Sequence, residues 1–127
     1  LGTGSDLSLY LTQEWCHTCV ENHPNCRVAE PRLPTRVIDV RSSGDLRNPV
    51  MIEPPKSANI AEYITLSHCW GGATALAAKV ADTPGLWNLP SLSEWHPTSG
   101  DTVKVCRAFG IRYLWIDAPC ILQGNEK

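Results

Sequence analysis

The stretch "EWCHTCVENHPNC" at 14–26 sets three cysteines and two histidines in thirteen positions, with Cys16-x2-Cys19-x3-His23-x2-Cys26 as its skeleton. Thiolates and imidazoles are the ligands zinc takes, and Cys-x-x-Cys is the spacing of a dithiol redox pair. Both chemistries have geometric requirements. Zinc needs four ligands converging at about 2.0–2.3 Å, whereas a continuous helix rises roughly 1.5 Å per residue and would hold Cys16 and Cys26 some 15 Å apart. Pro24 breaks such a helix and lets Cys26 fold back, so Cys19, His23 and Cys26 are the three ligands a metal clip would use. No strand precedes Cys16 to present a thiolate at a helix N-terminus, where it would be stabilised. The stretch is therefore read as packing, with no metal assigned to it.

A second set of residues gathers at "SHCWGG" (67–72) and "DAPCILQ" (117–123). Glycines at 71 and 72 let backbone N–H groups approach a ligand, Trp70 offers a face for stacking, and Asp117 can orient a hydroxyl or an imidazole. Ser67, His68, Trp70, Gly71, Gly72, Asp117 and Gln123 are the candidate crevice residues, with Cys69 and Cys120 beside them. Each also has a plain structural reading: Trp70 closing the core, the glycines making a tight turn, Asp117 binding loop N–H groups. A nucleophilic pair of Cys69 with His68 fails, because neighbours in a strand point to opposite faces.

The elements around these residues follow from periodicity. Ser5 or Ser8 caps a helix to about Asn22, with Leu7, Leu11, Trp15 and Cys19 recurring every four positions and Trp15 and Cys19 expected to face inward; Pro24 ends it. "TRVIDV" (35–40) and "VMIE" (50–53) read as strands of a hairpin with a long loop, and "EYITLSHCW" (62–70) as the next strand. A short helix is expected over 73–81. Thr98 and Asp101 have capping-box spacing before a stripe of Thr102, Val105, Cys106 and Phe109, with Gly110 as the C-terminal cap. "IRYLWIDAPCIL" (111–122), apolar on both faces, suits a buried parallel strand. Strand, helix, strand implies a right-handed crossover and an α/β fold with a partly parallel, Rossmann-like sheet flanked by helices. In such a sheet ligands bind outside the carboxyl ends of the strands, where the two candidate segments would meet.

The chain is one domain's worth at 127 residues. It begins at Leu1 and stops at "GNEK" after an apolar run, so an incomplete fragment of a longer protein is expected. Eleven basic and thirteen acidic residues leave a net charge of -2, which argues against nucleic acid or an anionic membrane as partner. The apolar runs are too short to span a bilayer and no secretory signal opens the chain. Six cysteines, with Cys69, Cys106 and Cys120 inside apolar stretches, read as mostly buried free thiols in a reducing, cytoplasmic compartment.

"LPTRVIDV" (33–40), "YITLSHCWGG" (63–72) and "GIRYLWIDAPCILQ" (110–123) resemble the three successive landmarks of the fungal heterokaryon-incompatibility (HET) domain, and the cysteine-rich stretch resembles one that often stands upstream of it. The last block departs from the family, with Ala118 and Pro119 where serine-leucine is usual. The resemblance divides the chain into a lead-in helix and Cys/His turn (1–32) and the N-terminal portion of a HET domain (33–127), truncated at its C-terminus. It implies a TIR-like sheet and a signalling module of fungal non-self recognition that triggers programmed cell death. Its partners would be a sensor domain or further copies, with no cofactor required. The alternative it implies is a TIR-like enzyme with NAD as substrate, whose catalytic glutamate would lie beyond this fragment; whether the chain is an enzyme stays open.

Overall fold

The computed structural model describes residues 2–41, 47–69, 76, 79–80 and 85–121. Helix α1 (Asp6–Asn22) starts at Ser5, whose hydroxyl accepts the Ser8 N–H, and ends at His23, with Pro24–Cys26 turning as a 3-10 helix. Strands β1 (Val37–Asp39) and β2 (Val50–Ile52) form the expected antiparallel pair, Ile38 opposite Met51. Strand β3 (Tyr63–Leu66) follows, then β4 (Lys79–Val80) and β5 (Leu86–Asn88). Helix α2 (Pro97–Phe109), strand β6 (Tyr113–Ile116) and a one-turn helix α3 (Asp117–Cys120) complete the described chain.

The six strands make one sheet in the order β3-β6-β1-β2-β5-β4. β3 and β6 are parallel, with Tyr63 opposite Tyr113 and Leu66 opposite Ile116. Each other described pairing is antiparallel. The molecule is thus mixed α/β with one parallel pair, as expected, in a mostly antiparallel sheet that does not have the run of parallel strands defining a Rossmann-like winding.

Ile38, Met51, Leu114 and Ile116 from the strands, and Val103 and Cys106 from α2, are fully buried against one another and against Trp95. The inner stripe of α2 is Ser99, Val103 and Cys106; of the expected stripe Cys106 is buried, while Thr102, Val105 and Phe109 are half-buried. The cap differs too: His96 takes the Thr98 N–H and Pro97 occupies the first turn, where its missing N–H leaves nothing unsatisfied. Gly110 ends the helix at φ 68°, the left-handed conformation foreseen for it.

Three expectations are corrected. Trp15 does not face inward: α1 has no buried residue, and Trp15 is 68 % exposed, with Leu7 and Leu11 exposed on the same stripe. The helix instead leans on the end of α2 by its opposite side, where Gln13 Nε2 donates to the Phe109 carbonyl at 3.5 Å. The run 111–122 is not strand throughout. It turns helical at Asp117, whose Oδ1 accepts the Ala118 N–H at 2.8 Å, and Pro119 fits a first helical turn for the same reason as Pro97. Cys69 is exposed, not buried, whereas Cys106 and Cys120 are buried as foreseen. The helix expected over 73–81 falls largely outside the described residues; Lys79–Val80 within it pair with β5 as strand.

Candidate functional site

A parallel pair in register delivers its following residues to one level. Leu66 lies opposite Ile116, so Ser67 and Asp117 are the first residues after the two paired strand ends. Ser67 is exposed and His68 and Asp117 are partly buried. Trp70, Gly71, Gly72 and Gln123 lie outside the described residues. Of the seven candidates, Ser67, His68 and Asp117 are described, within two residues of the paired strand ends.

Two residues join this end of the sheet without having been singled out. His96, the cap of α2, stacks on His68 with ring centroids 6.4 Å apart and planes inclined by 27°. The Nδ1 of His68 is buried and has no hydrogen-bond partner among the described residues. Arg36 precedes β1, which runs antiparallel to β6, and the register Ile38 opposite Leu114 carries it back to the level of Ile116. Its guanidinium lies 5.9 Å from the centre of the Trp87 ring, its Nε is buried without a partner, and with Thr35, Trp115, Cys120 and Ile121 it lines a cavity of about 410 Å³. The sequence signal for Arg36 was its place in "TRVIDV", a charged side chain within a segment read as a strand. For His96 it was the "HP" before an amphipathic run, which announces a helix start.

The electrostatics count against Cys120 as a nucleophile here. Burial pushes the Cys120 thiol up to about 11; the nearby Arg36 guanidinium opposes the rise and the Asp117 carboxylate adds to it. Burial likewise pushes Cys106 up to about 12. Both keep their protons at neutral pH, and a thiol is a poor nucleophile beside its thiolate.

The strongest charge cluster is elsewhere, and it is structural. Asp39 at the end of β1 is 2 % exposed. It accepts a fork of two bonds from Arg112, at 2.9 and 2.7 Å, and one from the Arg41 N–H at 3.0 Å. Burial alone would raise this carboxyl, but the Arg112 and Arg41 hydrogen bonds and charges outweigh it and hold the group below its usual range. Arg41 adopts φ 66°, uncommon for a residue with a side chain, and its N–H and guanidinium both reach Asp39 from there. Arg107 of α2 donates Nε and Nη2 to the Val40 carbonyl at 3.0 and 2.8 Å, tying the helix to the same strand end.

The cysteine-rich stretch keeps its thiols free. Cys19 and Cys26 meet across the Pro24 turn with their sulfurs 3.6 Å apart, while His23 turns its Nδ1 to the Cys19 carbonyl at 3.0 Å. Among the described residues no three His, Cys, Asp or Glu side chains are grouped so that they could hold a metal ion, and no helix is long and apolar enough to cross a membrane.

A family model described as "Heterokaryon incompatibility protein (HET)" matches residues 63–127, just over half of the chain. The match opens at the first residue of β3 and takes in both strand ends of the candidate crevice; "LPTRVIDV" and the cysteine-rich stretch stand ahead of it. No curated protein and no solved structure matches the chain.

Proposed function

The chain belongs to the heterokaryon incompatibility (HET) family, and on that premise we propose that it is a cytoplasmic signalling module of fungal non-self recognition whose activation triggers programmed cell death. It works through contact with a sensor domain or further copies of itself, with no cofactor, nucleic acid or membrane required. The supporting observation is the outer face of α1: Leu7, Tyr10, Leu11 and Trp15 form one exposed apolar stripe, between 41 and 68 % accessible. Stripes of this kind, rich in aromatic residues, are what protein interfaces bury. The test replaces Leu11 and Trp15 together by aspartate in the full-length protein. Association and cell death on expression in a fungal host are expected to disappear while the melting temperature holds; a double variant that still associates and kills removes α1 from the signalling surface.

A second reading is favoured by the unpartnered His68 Nδ1 and the Arg36 guanidinium at the carboxyl ends of the parallel pair. There the site hydrolyses a nucleotide such as NAD, with Arg36 neutralising phosphate charge, Ser67 and His68 binding polar groups, and Asp117 orienting a hydroxyl. NAD consumption by the purified full-length protein, set against its Asp117→Ala form, decides it. Absence of turnover by a folded protein at high concentration removes this reading.

A further inference from the structure

The two thiols that meet across the Pro24 turn have no part in either functional reading. Cys19 sits on the last turn of α1 and is partly exposed; Cys26 closes the 3-10 turn and is exposed. Their sulfurs stand 3.6 Å apart, against about 2.0 Å in a disulfide, a gap that rotation of exposed side chains can close. The turn is already held for this approach. His23 donates its backbone N–H to the Cys19 carbonyl at 2.9 Å, and the Arg27 side chain binds the carbonyls of Val20 and Glu21.

We propose that Cys19 and Cys26 are a reversible disulfide site, oxidised by low-molecular-weight disulfides of the glutathione type. The pair is thus not the Cys16-x-x-Cys19 that the spacing suggests. Cys26, the more exposed, attacks first as its thiolate. Its sulfur bonds to one sulfur of the small disulfide, whose other sulfur leaves as a thiolate. Cys19 then attacks the Cys26 sulfur of the mixed disulfide and expels the second small thiolate. Two electrons pass from the protein thiols to the small disulfide, and the two protein protons end on the two small thiols released. The hydrogen bond to Cys26 raises the Cys19 thiol above its ordinary range, so Cys19 keeps its proton while Cys26 attacks, and the resolving step, which needs the Cys19 thiolate, runs faster with rising pH.

The closed bond would pin residues 24–28 to the end of α1. Cys26, Arg27, Val28 and Ala29 form one rim of a groove of about 840 Å³ whose other side is Tyr63 and Thr65 of β3. β3 is an edge strand of the sheet. Oxidation therefore stiffens the rim beside the outermost strand among the described residues.

The 127-residue chain is equilibrated with oxidised and reduced glutathione at graded ratios, alkylated, and cut after glutamate. Cleavage after Glu21 separates Cys16 and Cys19 (residues 15–21) from Cys26 (22–62, because Pro31 and Pro54 block cleavage after Glu30 and Glu53). The oxidised chain is expected to lose about 2 Da and to keep these two peptides joined, in the original and in Cys16→Ser, and to lose the joint in Cys19→Ser and in Cys26→Ser. Amide exchange at Arg27 and Val28 is expected to slow at least threefold on oxidation. A bond confined to residues 15–21, a joint that survives Cys19→Ser, intermolecular dimers as the main product, or no oxidation at all overturns the proposal.

Discussion

Asp39 is the residue on which most local geometry depends, because it is a buried carboxylate whose three donors come from Arg112 and Arg41. Its folded pKa lies below its unfolded one. The stabilisation is therefore complete above the unfolded value, near pH 4, and is lost as pH falls through the folded value. Urea titrations between pH 3 and 7 should show stability dropping below about pH 4, with that part of the drop absent from Asp39→Asn. At pH 7 the substitution should cost about 2 kcal/mol, less than the loss of one partner from a fully buried pair, since Arg112 is half exposed. A flat acid profile in the original chain would count against the cluster. Thiol reactivity is a second prediction at this scale. Cys16, Cys19, Cys26 and Cys69 are accessible and Cys106 and Cys120 are buried with raised pKa values. Ellman's reagent at pH 8 should find four fast thiols in the native chain and six in denaturant; fast labelling of a fifth would contradict the packing around α2 and α3.

At the scale of elements, α1 and β6 were legible in existence and opaque in detail. Ser5, the fourfold spacing and Pro24 announced the helix and both its ends correctly. They could not announce which side docks, because the apolar stripe of Leu7, Leu11 and Trp15 is the side left in water. Amphipathic periodicity marks an apolar face, and a face covered by another molecule is written in the same letters as one covered by the chain's own core. Trp15→Ala is thus expected to change unfolding free energy by no more than about 0.5 kcal/mol, whereas Val103→Ala in α2, fully buried, should cost on the order of 1.5 kcal/mol or more. Equal losses from the two in denaturant melts would mean that α1 docks by its other face. β6 was foreseen as a long buried strand. Its centre is one, lying between a parallel and an antiparallel neighbour, but at Asp117 a local side-chain bond and a proline that suits a first turn override the apolar run.

For the molecule as a whole, the buried residues among those described lie between Leu33 and Cys120. The lead-in helix contributes its cover of Phe109 and Ile111 and one long hydrogen bond. A chain of residues 29–127 should therefore still unfold in one cooperative transition, with a melting temperature lowered by no more than roughly 8 °C, the shift that about 1 kcal/mol produces in a domain near this size. Loss of cooperativity would show that α1 is part of the folding unit.

The sequence by itself determined the kinds of element, most of their order and the two segments that end the parallel pair, because turn chemistry and periodicity are local properties that the chain carries in its letters. It also carried the family resemblance, in "YITLSHCWGG" and "GIRYLWIDAPCILQ", both inside the matched region. Only the tertiary structure decided the sheet order, which sets β6 between β3 and β1 and brings Arg36 and His96 to the crevice end. Only it turned α1 outward; the approach of Cys26 to Cys19, which the Pro24 break allowed, it fixed at 3.6 Å between the sulfurs. These are contacts between residues far apart in the chain or across a break in a helix, and they follow from which faces pack together, a competition that no local pattern records.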